Sequence, residues 1–262
     1  MEALAYPVVV VLGLLIGSFL NVVIWRLPRG ESVVAPPSAC PACGHRIRSR
    51  DNVPVLSWFL LRGRCRDCAA PIAVRYPVVE AVNALLFAAV LLRVGVTWPL
   101  PAFLYLAAVG LALALIDLDV HRLPSAIILP SYPVVVALLA LASWNPGGLS
   151  SCDGMLRAGV GALSLLGFYA ILAVVRPGGM GMGDVRLAGL LGLALGWLGW
   201  GPLAVGAFAA FLLGGTYSVF LLATRRATRR SGIPFGPWML LGAAVGVAVG
   251  ESAWNAYLSV II

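Results

Sequence analysis

Residues 187–223 read LAGLLGLALGWLGWGPLAVGAFAAFLLGGTYSVFLLA, a run without one charged side chain. A helix rises 1.5 Å per residue, so about 20 apolar residues cross the roughly 30 Å hydrocarbon core of a bilayer. The run is too long for one ordinary crossing, and GWLGWGP at 196–202 supplies the glycines and proline of a turn. It reads as two membrane helices joined by a tight connection.

The rest of the 262-residue chain has the same character, with 61% apolar and 11% charged residues. Soluble domains carry about 25% charge, so the fold class is an all-α polytopic membrane protein. Candidate spans fall near 6–25, 77–96, 99–116, 126–144, 156–175, 187–202, 203–223 and 236–260, which makes eight helices. Arg93, Gly95, Pro99 and Pro101 divide the second span from the third. The first run opens on Glu2 in place of a basic segment and lacks a small-x-small cleavage site, so it is expected to be retained. Three parts follow: a first transmembrane helix over 1–28, a polar insert over 29–76, and a membrane core over 77–262.

Arginine carries all 18 basic charges. With eight spans, 16 of the 18 fall in segments that share one side, and the positive-inside rule makes that side cytoplasmic and both termini external. Topology thereby accounts for the formal charge of +8, and no nucleic-acid partner is needed to explain it.

The insert contains CPACGHRIRSRDNVPVLSWFLLRGRCRDC, in which Cys40 and Cys43 form one C-x2-C knuckle and Cys65 and Cys68 a second. Each spacing lets two thiolates converge on one ion, and two knuckles complete a tetrahedral shell that suits structural zinc. The cytoplasmic placement argues against two disulfides. His45 reads as solvated because four sulfurs fill the shell, and Cys152 reads as incidental in an external loop. With so few apolar residues the insert needs its metal to fold; Trp58, Phe59 and Leu60 are expected to pack on it or lie at the membrane surface.

Two carboxylates stand at the edges of apolar runs: Asp117 in ALIDLDVHRLPS and Asp184 in GGMGMGDVRLAG. A carboxylate there must be paired, solvated or used. Two that share a site hold a single proton between them, so one can take a proton from water while the other polarises a carbonyl, which is peptide hydrolysis without metal or serine. The glycines before Asp184 are expected to leave room for a substrate backbone. The plainer alternative is that each aspartate caps a helix. Asp119 is a weaker candidate, orienting Asp117 or simply solvated, and Asp153 and Glu251 read as surface charges. Glu80 enters an apolar run and needs a partner such as an arginine or water. No P-loop, G-x-S-x-G elbow or H-E-x-x-H helix is present. A transporter using the acids as a proton relay is the main different-class reading.

The ordered set GSFLNVVIWRLPRG at 17–30, the double C-x2-C, RGRCRDC at 62–68, PIAVRYPVVE at 71–80, IDLDVHRLP, GMGDVRL and IPFGPWMLLG at 233–242 resembles the bacterial type IV prepilin peptidases. These are the leader peptidase / N-methyltransferases of type IV pilus and type II secretion systems. The resemblance implies a GxGD-type aspartyl protease of the inner membrane, with Asp117 and Asp184 as its catalytic dyad at the cytoplasmic face. It implies that a prepilin or pseudopilin leader is cut after a glycine, and that the new N-terminus is methylated with S-adenosylmethionine. Gly17, Ser18, Asn21 and Arg26 are candidates for the methyl-donor site by resemblance, although Gly17 and Ser18 equally suit close helix packing. No G-x-G-x-x-G unit on a strand-to-helix turn marks a cofactor site. Two positions depart from common family usage: Ser125, where Asp or Asn is frequent, and Arg186, where Lys is frequent.

Overall fold

The computed structural model describes residues 2–144, 152–176, 179–226, 228 and 232–261. Among these the chain is helical, with no strand. The helices are α1 (Glu2–Arg26), α2 (Leu56–Leu60), α3 (Arg75–Val94), α4 (Leu100–Val120), α5 (Ser125–Trp144), α6 (Cys152–Val175), α7 (Met182–Leu198), α8 (Trp200–Ala223) and α9 (Gly236–Ile261). A long helix thus occupies each of the eight positions read from the sequence. Six are long and apolar enough to cross a membrane: Leu4–Arg29, Arg75–Val94, Leu100–Val120, Ser125–Trp144, Asp153–Val175 and Trp200–Ala223. Cys152 begins α6, and its side chain lies outside the described residues.

The chain divides into two compact units, Met1–Ala112 and Leu113–Ile262. In the first, α1 lies against α3 through small residues one turn apart. A Cβ added at Gly13 would stand 2.7 Å from the Ala84 Cα, and one at Gly17 would stand 2.7 Å from the Glu80 Cα. Backbones can come this close only where side chains are absent, and dispersion then holds helices that lipid would separate just as well as leucine. Asn83, fully buried, donates to the Gly13 carbonyl at 2.7 Å, and Asn21 donates to the Tyr76 carbonyl at 3.2 Å.

The second unit repeats this device. Gly161 faces Gly192 and Gly196 where α6 meets α7, and Gly206 faces Gly242 and Gly246 where α8 meets α9. Helix α7 is packed by α5, α6, α8 and α9. Its residues Leu187 to Gly196 are all buried, as expected of a helix that is apolar all round. This core helix carries Asp184 in its first turn.

The break within 187–223 falls inside the turn segment 196–202 read from the sequence, at Gly199, three residues before the span boundary placed at 202. Gly199 has φ 155°, ψ 173° and its N–H still reaches the Leu195 carbonyl at 3.1 Å. Proline needs no intrahelical donor in a first turn, so Pro202 sits as the third residue of α8.

Gly242→Val should lower stability by about 2–3 kcal/mol through overpacking, because the added Cβ would meet the Ala210 nitrogen at 2.5 Å. Gly215→Ala, where a Cβ meets nothing within 4 Å, should leave the thermal transition in detergent unchanged. Equal transitions for the two variants would contradict this packing account.

Candidate active site and cysteine cluster

Asp117 occupies the last turn of α4 and is 4% exposed. Helix α4 then ends at His121, whose φ of 52° leaves the helical path while its N–H holds the Asp117 carbonyl at 2.9 Å. The Asp117 carboxylate is met from the start of α9, where the Gly236 N–H donates to Oδ2 at 3.1 Å. Helix N-termini present unsatisfied N–H groups and a partial positive charge, so this is a favourable seat for an anion. A Cβ on Gly236 would lie 2.7 Å from that oxygen, which is why this position is glycine.

Asp184 is the third residue of α7, and its Oδ2 accepts the Gly181 N–H at 3.0 Å. It therefore caps its own helix, as the plainer reading of the sequence allows, but from inside the first turn. That bond uses one oxygen. Oδ1 of Asp184 and Oδ1 of Asp117 have no hydrogen-bond partner among the described residues. The two carboxylates belong to one compact unit and lie within electrostatic reach of each other.

Leu123 connects the two sides of the site. A Cβ at Gly183 would come 2.7 Å from the Leu123 Cβ, and one at Gly236 would come 3.2 Å from the Leu123 methyls. The space beside Gly183, expected from the sequence to admit a substrate backbone, is filled by Leu123. Tyr169 of α6, 2% exposed, adds an aromatic wall with Phe211 and Phe235, at ring separations of 5.5 and 6.2 Å, and is within electrostatic reach of Asp184.

The two positions that depart from family usage meet. Arg186 Nη1 donates to the Ser125 hydroxyl, and the Tyr132 hydroxyl donates to the Arg186 carbonyl at 2.7 Å. Both bonds tie α5 to the first turns of α7. Asp119, Asp153 and Glu251 are exposed. Gly236, Leu123 and Tyr169 were not singled out by the sequence reading. IPFGPW flagged the neighbourhood of Gly236, but nothing in it says that an N–H points to an aspartate 119 positions away.

In the first unit the sulfurs of Cys40, Cys43, Cys65 and Cys68 all lie within 4.8 Å of one another. The two knuckles are built alike. Cys40 N–H bonds the His45 carbonyl at 2.9 Å and Gly44 N–H the Cys40 carbonyl at 2.8 Å; Cys65 N–H bonds the Ala70 carbonyl at 2.8 Å and Ala69 N–H the Cys65 carbonyl at 2.9 Å. The turn needs positive φ, supplied by Gly44 at 73° and tolerated by Ala69 at 58°. The Cys40 and Cys68 sulfurs are 3.8 Å apart. Tetrahedral Zn–S bonds of about 2.3 Å put sulfurs about 3.8 Å apart, so the donor set fits zinc.

Backbone N–H groups of Cys43 and Ala42 bring the Cys40 thiol down to about 7. Cys43 receives the His45 N–H, but burial and the sulfurs of Cys68, Cys40 and Cys65 outweigh it and push the thiol up to about 12. A divalent cation takes the place of the protons these sulfurs otherwise keep. Arg66 grips Asp51 through Nε and Nη2 at 2.6–3.0 Å, holding that carboxyl below the usual range, and Arg48 pairs with Asp67 at 2.8 Å. Trp58 packs within the insert, donating to the Ile72 carbonyl at 3.1 Å, whereas Phe59 and Leu60 are exposed.

Helical membrane architecture, a buried Asp117 and a half-buried Asp184 in one compact unit, and a four-sulfur cluster define the class into which comparison must fit. The Bacterial Peptidase A24 N-terminal domain matches residues 11–94, and the Type IV leader peptidase family matches residues 104–219. A Prepilin leader peptidase/N-methyltransferase of Pseudomonas aeruginosa is 36% identical over 95% of this chain and 92% of its own length. Proteins of the same name are 43% identical in Myxococcus xanthus, over 84% of this chain and 64% of the relative, and 30% identical in Bacillus subtilis, over 96% and 97%. No solved structure matches. The chain belongs to the type IV leader peptidase family.

Cobalt(II) added to the metal-free chain should give the visible bands of a tetrahedral thiolate centre, saturating at about one ion per chain. An octahedral spectrum, or none, would show that the four sulfurs do not act as one site.

Proposed function

We propose that this chain is a multi-pass inner-membrane leader peptidase that cleaves type IV prepilins or pseudopilins with Asp117 and Asp184, and then N-methylates the new N-terminus. The observation that supports the dyad most is its geometry: each carboxylate keeps one oxygen on a backbone N–H, at 3.1 and 3.0 Å, and the other has no hydrogen-bond partner among the described residues.

Two carboxylates in electrostatic reach share one proton over a working pH range. The ionised member takes a proton from water as the water oxygen attacks the scissile carbonyl carbon. The protonated member hydrogen-bonds and then protonates the carbonyl oxygen. When the tetrahedral centre collapses, the C–N bond breaks and a proton passes to the departing amine. Backbone anchoring holds both groups against rotation, and the bilayer presents the bond because the apolar helix behind a prepilin leader lies among the enzyme helices.

The cleavage point after a glycine, the cytoplasmic orientation of the site and insert, external termini and a total of eight crossings belong to this proposal and rest on the arginine distribution and the family. The parts remain 1–28 as first helix, 29–76 as insert and 77–262 as core. Cys40, Cys43, Cys65 and Cys68 would hold zinc as a structural ion. S-adenosylmethionine supplies an electrophilic methyl group when bound. A proton-relay transporter is disfavoured, because its acids belong near the bilayer midplane in broken helices, whereas these two stand in the last turn of α4 and the first of α7.

Asp117→Asn and Asp184→Asn should each reduce cleavage of a co-expressed prepilin by about a thousandfold or more, within the range that loss of an acid–base partner gives. Leader removal at the parental rate in both variants would sink the dyad. Gly236→Ala should slow cleavage by roughly ten- to a hundredfold through misplacement of Asp117, with the parental rate counting against the anchoring role. Supplying labelled methyl donor to the parent should label the N-terminus of the cleaved product; an unlabelled product rejects the second activity.

A further inference from the structure

We infer that α2 of the insert is an interfacial anchor, which lays Leu56, Phe59 and Leu60 into the bilayer leaflet beside α1 and α3 and sets Arg62 and Arg64 among anionic lipid headgroups. The inference rests on α1 and α3 crossing a membrane and is independent of the peptidase and methyltransferase readings.

The depth of α2 is set by a carboxylate that the peptidase chemistry does not use. Glu80 is 8% exposed, and its Oε2 accepts the N–H of Val55, the residue that opens α2, at 2.6 Å. The Ser18 hydroxyl also bonds this carboxylate. Glu80 thus joins α1 to the insert through backbone and hydroxyl, not through the arginine or water expected from the sequence. Glu80 lies five positions after Arg75, the start of α3, and Ser18 eight positions before Arg26, the end of α1. At 1.5 Å per residue these positions stand about 7 and 12 Å inside the basic ends of the two helices. A serine side chain is short, so the carboxylate sits close to that level. The headgroup level is marked by Trp25, whose ring carries the Arg29 guanidinium at 3.6 Å. Val55 therefore stands on the lipid side of it, near the depth of roughly 5–10 Å at which interfacial helices bury their apolar face.

The residues of α2 suit lipid and not water. Leu56, Phe59 and Leu60 stand at i, i+3 and i+4, which places them on one face, and they are 54%, 65% and 72% exposed, while Ser57 is turned inward at 6%. A helix facing water shows the reverse. The backbone around α2 is answered without solvent, as a segment at membrane depth requires. The Val53 N–H goes to the Ser57 hydroxyl at 2.8 Å. The N–H groups of Ser57, Leu61 and Gly63 go to the carbonyls of Val53, Ser57 and Trp58 at 3.0, 2.9 and 2.8 Å.

Charge complementarity selects the headgroup. Residues 32–74 contain six arginines against two aspartates. Arg66 holds Asp51 and Arg48 holds Asp67. Arg62 and Arg64, just after α2, are exposed and form no ion pair among the described residues. Arginines placed at a bilayer surface attract anionic lipids, while an apolar face beside them enters the acyl region. The anchor thereby holds the four-cysteine insert against the leaflet.

The test is photo-cross-linking of the full chain in nanodiscs of mixed phosphatidylcholine and phosphatidylglycerol, with benzoylphenylalanine at position 59 or 60 and adducts identified by mass. Position 12, exposed on the membrane helix α1, calibrates the yield of lipid adducts. Positions 59 and 60 should give lipid adducts within about threefold of that yield, as an immersed face does. Adducts with protein, or no lipid adduct, overturn the anchor. Glu80→Ala should lower the lipid yield at both positions about threefold or more and leave position 12 unchanged; an undiminished yield overturns Glu80 as the residue that sets the depth. Circular dichroism melting screens for misfolding, and the adducts of the parent sequence decide if Glu80→Ala does not fold. The Arg62→Gln/Arg64→Gln double variant should reduce the enrichment of phosphatidylglycerol among the adducts about threefold or more. Unchanged enrichment overturns the headgroup assignment. Each failure leaves the leader-peptidase reading intact, since that reading is tested by cleavage.

Discussion

A carboxylate among apolar helices stays ionisable only if something other than bulk water answers its lone pairs, and for Asp117 that partner is the Gly236 N–H at 3.1 Å. Much of the second unit follows from this one bond. The donor must come from a helix start, where N–H groups are free, so the start of α9 must reach the end of α4. Glycine suits that position, since a Cβ would stand 2.7 Å from the carboxylate oxygen and push it aside. Leu123 fills the remaining space and presses on Gly183, which brings the first turn of α7 into the same neighbourhood. Asp184 obeys the same constraint with a local donor, Gly181.

The framework that allows these approaches is made of small residues. Gly161 against Gly192 and Gly206 against Gly242 let helix pairs come to backbone contact, and a buried α7 can then carry a charge at its start without exposing its apolar length. The first unit uses the same packing at Gly13 and Gly17 for a different end, setting Glu80 where it can hold the insert. One mode of helix association thus supports two aspartates in one unit and a four-cysteine insert in the other.

Much of this was legible in the sequence because it rests on local pattern. Long apolar runs located the eight long helices, and C-x2-C spacing located four converging sulfurs, since each knuckle is closed by bonds within six residues. What escaped was non-local. No pattern links Gly236 to Asp117, or Leu123 to Gly183, because side-chain size complementarity across helices leaves no periodic trace. The turn segment GWLGWGP holds the helix break, and within it Gly199 makes the bend while Pro202 is accepted in the first turn of α8. Ser125 and Arg186 looked like two independent departures and are one hydrogen-bonded pair.

The central claim is that Asp117 and Asp184 work as one proton-sharing unit. The pH dependence of kcat/KM for prepilin cleavage tests it most directly, because a pair that needs one member ionised and one protonated gives a bell whose two limbs belong to the pair. The account predicts that bell, with both limbs shifting together in Gly236→Ala, which disturbs only the Asp117 side. A profile with a single limb, or a bell in which Gly236→Ala moves one limb and leaves the other in place, would contradict it.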